Sequence, residues 1–449
     1  MKRSPSNSRR PRGFAIAIVL WAVALAAIVL VALQTSAARQ AAAGREALAR
    51  VRAHWAARAG VETMITRLQF ESTQAMPLTG QALLDAMAGD SRADLTRASF
   101  RVVHSTVNGL EDGPVDAHSK INVNLMTFDD LMLLENMTED VADGILDWID
   151  ADDEPLEAGA EIDSYGGLTS PYHPRNGPIS DLRELLLVRG MDPELLHGKD
   201  WNGNGIIDSG ELSTDSAFPS SSDPNLDAGW SRFITASSIT GGVSSTGEER
   251  IDLSTADASQ VQSLLGVESN QAEAIVSAAQ QGKLMADFIS TDLAQLAPQQ
   301  NTQQAGQGGQ QQRQAPPAAL TRQQLSDLLD KCCIGDPTAV NPGKLNINTC
   351  DEQALDYLAT FYNSPSLKDT LLLYKSQMGG EIASFADLQD IPTLSRAQLA
   401  QLYAVLDVRS NVFIVTSRGR DEATGVEVEI VAEIDRSTSP VTIRSIFTR

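Results

Sequence analysis

Positive charge is what this chain has least of: 35 lysines and arginines stand against 58 aspartates and glutamates, for a formal net charge of −23. Phosphate recognition needs clustered cations, so the balance excludes nucleic acid as a partner and favours divalent cations or basic protein surfaces. Cysteine is almost absent, with only Cys332, Cys333 and Cys350. Three thiolates without a nearby histidine make a poor zinc site. The five histidines, His54, His104, His118, His173 and His197, are scattered. No HExxH, P-loop, GxSxG or dinucleotide glycine pattern occurs, so the chain reads as a protein without catalytic chemistry.

What is present is one long apolar run. From Phe14 to Leu33 there is no charge, and about twenty helical residues at 1.5 Å each span a hydrocarbon core of about 30 Å. A cleaved secretory signal has a shorter apolar region, about 7–15 residues, ending in small residues before the cut. Here the helical pattern continues instead. Gln34 to Phe70 contains no proline, and Ala53, Ala56, Ala57, Gly60, Val61, Met64, Ile65 and Leu68 recur at helical spacing with Arg52, Arg58, Glu62 and Arg67 between them. The spacing predicts one helix of about fifty residues from Phe14, apolar first and amphipathic after. Lys2, Arg3, Arg9, Arg10 and Arg12 precede it, which keeps the amino terminus on the cytoplasmic side.

A basic leader ending in Gly13, then Phe14, the apolar twenty-mer and the amphipathic continuation together resemble the amino terminus of type IV prepilin-like proteins. The resemblance implies cleavage by a prepilin peptidase between Gly13 and Phe14 and retention of the apolar helix. Most members carry Glu at the fifth mature position, where this sequence has Ile18. A carboxylate there would be costly in lipid unless neutralised. The subclass that lacks it is the K-type minor pseudopilin of type II secretion systems, a tip subunit of the pseudopilus, and this sequence is similar to that subclass.

Further along, residues 98–107 (ASFRVVHSTV) read as a strand, and 411–417, 426–434 and 441–447 alternate apolar and polar residues between turn-forming GRDEATG and DRSTSP. The expected fold is α+β, a pilin-like long helix packed on a small antiparallel sheet, with a large, mostly α-helical insertion. Within the insertion, Lys120-Ile-Asn-Val-Asn124 returns as Lys344-Leu-Asn-Ile-Asn348, and a weaker copy starts at Arg250. The segments that follow resemble helix-hairpin-helix (SAM-like) modules. Their turns, residues 135–138 and 266–269, lack the Gly-x-Gly pair that presents backbone N–H groups to DNA, so the hairpins read as protein-contact scaffolds. "DWIDADDEP" (147–155) and "PYHPRNGPISDLREL" (171–185) add to the K-type resemblance, which leaves out 213–248 and the low-complexity Gln/Gly/Pro tract 298–319. That tract cannot bury enough apolar surface to order itself.

One stretch carries metal chemistry. "DWNGNGIIDSGE", Asp200 to Glu211, fits the twelve-residue calcium loop at every specified position. Asp200, Asn202 and Asn204 offer side-chain oxygens, Ile206 its carbonyl, Asp208 a ligand often reached through water, and Glu211 both carboxylate oxygens; Gly205 permits the sharp turn. No exit helix follows Glu211, so calcium here would be structural rather than sensory. A second ion is conceivable at Asp147, Asp150, Asp152, Asp153 and Glu154, with a solvated acidic helix end as the simple alternative. In an oxidising compartment Cys350 would pair with Cys332 or Cys333, a choice that geometry decides.

These readings divide the chain into a cleaved leader (1–13), a transmembrane helix (14–33), the helix continuation and first strand (34–117), the inserted domain (118–408) with calcium loop 200–211 and loop 298–319, and the C-terminal strands (409–449). The resemblance implies a single-pass inner-membrane protein with its large domain in the periplasm. Its partners would be other minor pseudopilins, inner-membrane platform components and the prepilin peptidase, with the secretin or an exoprotein substrate as further contacts. The competing reading is a signal-anchored, calcium-dependent adhesin or binding module.

Overall fold

The computed structural model describes residues 12–74, 77–106, 109–199, 229–297 and 316–448. Its first element, α1 (Arg12–Ser72), is a single helix of 61 residues. The absence of proline and the dominance of Ala, Leu, Arg and Glu let it run unbroken. Its second half lies across a seven-stranded antiparallel sheet. The spine of that sheet is β1 (Arg92–Leu95), β2 (Ala98–Thr106), β11 (Val412–Asp421), β12 (Glu427–Asp435) and β13 (Thr442–Thr448), in that order. Two short strands join it: β3 (Gly109–Asp112) on β2 and β4 (Val115–Asp116) on β11.

The helix is able to sit close because both surfaces are small where they meet. Ala56, Ala57, Val61, Met64 and Leu68 are all buried against Phe100, Val102, Phe413, Val415, Ile430 and Ala432. A Cβ at Gly419 would overlap the backbone of Ala53 and Ala57, and one at Gly60 would overlap Ser417. The glycines therefore set the helix-to-sheet distance. Ile65, placed on the same stripe by spacing, is only partly buried at its edge. The intervening charges face outward or pair: Arg58 with Glu62, Arg67 with Asp90, and Arg52 with the buried Asp421.

Between β4 and β11 the chain leaves the sheet and builds the inserted helical region, which has two cores of its own. The region is organised by three copies of one device. In the first, β5 (Ile121–Asn122) pairs in parallel with β6 (Ile234–Thr235); in the second, β7 (Ile251–Asp252) pairs with β8 (Cys332–Cys333); in the third, β9 (Leu345–Asn346) pairs with β10 (Leu406–Asp407). In each copy the side-chain oxygen of the second strand residue accepts the N–H two residues on: Asn122 from Asn124, Asp252 from Ser254, Asn346 from Asn348. This is the Asx turn that short polar side chains favour.

The second asparagine has a separate task. Asn124 exchanges two hydrogen bonds with the backbone of Ile179, and Asn348 does the same with Ile382, so each side-chain amide replaces a missing strand neighbour. Ser254 lacks an amide and turns its hydroxyl back onto Asp252. That is why the middle copy is the faint one in sequence. Two helices follow each first strand, with a left-handed residue between them: Asn136, Gly266 and Asn363.

Candidate functional site

The surface that asks for a partner is α1 itself. Ile16, Ile18, Leu20, Trp21, Leu25, Ile28 and Leu33 are all more than half exposed, Trp21 at 77%. No residue of the most apolar window of this helix is buried. So long an apolar surface is stable only in lipid or against other apolar helices, and the segment is long enough to cross a membrane. Gly13 and Phe14 lie in the first turn of α1; the basic residues at positions 2, 3, 9 and 10 fall outside the described residues. Ile18 is exposed with its apolar neighbours. Beyond the apolar run, Leu48, Val51 and Trp55, at 49%, 53% and 64% exposure, continue a stripe on the side of α1 turned away from the sheet.

The calcium-loop residues Asp200, Asn202, Asn204, Ile206, Asp208 and Glu211 all lie outside the described residues, as does most of the 298–319 tract. What is described is the frame around the loop. Asp192 caps the short helix α6 (Pro193–His197), which leads toward it, and the chain resumes at Gly229. A Cβ on Gly229 would overlap the backbone of His197 and Gly198, so the two ends of the excursion are held together.

The acidic stretch after α4 (Glu139–Ile149) is partly structural. Asp147 is fully buried and accepts the N–H groups of Leu156 and Ala160 at 3.1 and 2.7 Å, while Asp143 accepts that of Ala158 at 2.9 Å. These two carboxylates hold the 156–160 loop. Asp152 accepts the N–H of Glu154, and Asp153 the amide of Asn176. Glu161, which sequence reasoning missed, is 3% exposed, and neither of its carboxylate oxygens has a hydrogen-bond partner. Asp150 Oδ1 and Asn176 Oδ1 are likewise buried and unpartnered. Burial lifts the Glu161 carboxyl to about 7, and the charges of Asp147, Asp150 and Asp153 push the same way. Burial also raises Asp150, helped by Asp152 and Asp147.

A buried carboxylate with empty lone pairs calls for a proton or a cation. The donors are all oxygen, which suits calcium better than zinc. Among the described residues no three His, Cys, Asp or Glu side chains converge as a ready ligand set. The orphaned oxygens thus come from two carboxylates and an amide.

The expected disulfide is not formed: Cys332, Cys333 and Cys350 are all free. Adjacent strand residues point to opposite faces. Cys332 is buried in the insertion core, whereas Cys333 turns outward toward the carbonyl of Gly335. Cys350 packs at the edge of that core, after the third copy's Asx turn. Burial pushes the thiols of Cys332 and Cys350 up to about 12, so both are inert as nucleophiles.

Residues 107–198, which hold the first Asx-turn copy, the acidic stretch and Glu161, match a family profile described as "Type II secretion system (T2SS), protein K". Over these residues the chain is similar to the type II secretion system protein K family. A stretch of 57 residues is 46% identical to the type II secretion system protein K of Dickeya chrysanthemi, covering 13% of this chain and 15% of that protein. Another of 70 residues is 39% identical to its counterpart in Pectobacterium carotovorum subsp. carotovorum, covering 14% and 21%. The aligned stretches thus span about a fifth or less of these curated relatives. Among solved structures, the GspK-GspI-GspJ complex of the enterotoxigenic Escherichia coli type 2 secretion system is similar at 13% identity and a TM-score of 0.46, covering 90% of this chain and 99% of that chain.

Proposed function

We propose that this chain is a minor pseudopilin of type II secretion, a structural subunit without catalytic activity that forms part of the pseudopilus tip and helps to initiate its assembly. The observation that carries the reading is α1: a helix with an exposed apolar first part that runs without a break onto an antiparallel sheet. In this account residues 14–33 sit in the inner membrane after cleavage between Gly13 and Phe14, and the large domain stands in the periplasm. The stripe of Leu48, Val51 and Trp55 packs against the long helices of other minor pseudopilins. The inserted region caps the bundle, where it opposes further subunits and faces the secretin or an exoprotein; platform components meet the membrane end. Ile18 suits such a subunit, because with nothing above it no carboxylate contact is needed.

Calcium has a supporting role. Asp200, Asn202, Asn204, Ile206, Asp208 and Glu211 would hold one ion, and Asp150, Glu161 and Asn176 would give oxygens to a second. Bound calcium neutralises clustered carboxylates that otherwise repel. The test of the assembly role is a photo-crosslinking residue at Trp55 in cells carrying the complete secretion system. Capture of another pseudopilin's helix is expected, together with loss of exoprotein export when the chain is deleted. Export that continues normally without the chain contradicts the proposal.

A further inference from the structure

Between the end of α1 and the C-terminal strands lies a small, partly open cleft that the assembly role leaves unused. Ser72, Thr79, Ser244, Arg409, Arg436 and Ser439 are among its walls. The two arginines differ in how they are satisfied. Arg409 spends its amines on the carbonyls of Val243 and Ser244, at 3.3 and 2.8 Å, and on Asp330 at 3.2 Å. Arg436 is 6% exposed; its Nε donates to the carbonyl of Ser410 at 2.7 Å and its guanidinium lies 5.5 Å from the centre of the Phe413 ring. Its two Nη amines have no hydrogen-bond partner among the described residues.

The nearest carboxylates are otherwise engaged. Asp116 accepts from the His118 N–H and from the hydroxyls of Thr349 and Ser410, and Glu71 accepts from Arg67 and the Leu78 N–H. They attract Arg436 without touching it. Burial, and then repulsion from Arg409, holds the Arg436 guanidinium down to about 9. The last carbonyls of α1 end at Ser72 in the same wall and oppose an anion, but theirs is about half a charge against the full charge of Arg436, Arg409 being paired with Asp330. At the rim, the exposed Ser439 hydroxyl, also without a partner among the described residues, can donate.

We propose that this cleft binds a small oxyanion, gripped by the two Nη amines of Arg436 and closed at the rim by Ser439. A planar guanidinium with both amines free is the group best matched to two oxygens of one anion. The test uses the full chain in nonionic detergent, titrated with inorganic phosphate at constant ionic strength by calorimetry and by thermal unfolding. Wild type is expected to bind saturably and to melt later as phosphate replaces chloride. Arg436→Gln is expected to weaken binding at least about tenfold, the value of a lost charge-assisted bond. Should that variant fail to fold, Ser439→Glu decides: it adds a negative charge to the same cleft wall from an exposed position, so the protein stays folded and phosphate is expected no longer to shift its melting. Absence of saturable binding by wild type, or a phosphate response left intact in Ser439→Glu, overturns the proposal.

Discussion

At the scale of single residues, the buried amides and carboxylates make the sharpest claims. Asn348 is 2% exposed and pairs with both backbone groups of Ile382. Truncating it to Ala orphans a buried donor and acceptor at about 1–3 kcal/mol each. Asn348→Ala should therefore lower the urea midpoint clearly more than Asn124→Ala, whose side chain is only half-buried. Equal effects would show that the third Asx-turn copy carries no more weight than the first. Glu161 gives a pH dependence. Its folded carboxyl is raised to about 7 from an ordinary 4.5, so between those values the folded state holds the proton that the unfolded state has lost. In calcium-free buffer, stability should fall as pH rises through that window and level off above about 7. Glu161→Gln should remove the slope and stabilise the calcium-free protein at pH 8, read by thermal melts. A melting profile that is unchanged by the substitution contradicts the assignment.

At the scale of elements, the helix-to-sheet contact rests on Gly419 lying under Ala53 and Ala57. Gly419→Ala forces α1 off the sheet, and overpacking of this kind costs about 1–3 kcal/mol. Denaturant unfolding should show that loss, whereas substitution at Gly44, where a Cβ meets nothing, should not. The apolar half of α1 has its own test. Leu25→Arg places a charge mid-span at about 2.5–3.5 kcal/mol, and the protein should shift from the membrane fraction to the carbonate-extractable one; full retention in the membrane argues against a span. These elements were also the legible ones. A 3.6-residue stripe of Ala, Gly and Met announced α1, a run rich in β-branched residues announced β2, and two-residue alternation announced β11, β12 and β13. The strands β1, β3 and β4 have four, four and two residues, too few for alternation to register. Helix α2 (Gly80–Gly89) carries only Leu83 and Met87 as fully buried apolar side chains, too few to set a helical period in the sequence.

At the scale of the whole molecule, the plan is a membrane-length helix, a sheet that it closes, and a helical body inserted between two paired strands of that sheet. The near-repeat of Lys120–Asn124 in Lys344–Asn348 was readable because both copies keep two asparagines. The copy at Arg250 needed the parallel pairing of Ile251 with Cys332 to become plain. What sequence could not show were sites made by burial: Glu161 with its empty oxygens, and Arg436 facing its cleft. Both depend on what the rest of the chain places around an otherwise ordinary charged residue. The three cysteines stand free in the structure, and compartment chemistry says nothing about which way a cysteine points.

The central claim is entry into the pseudopilin pathway, and the amino terminus of the mature chain tests it most directly. The protein would be isolated from membranes of cells with and without prepilin peptidase, and its first residues determined. The account predicts a start at Phe14 only where the peptidase is present. An intact Met1 in both preparations would contradict it and leave an anchored calcium-binding protein as the better description.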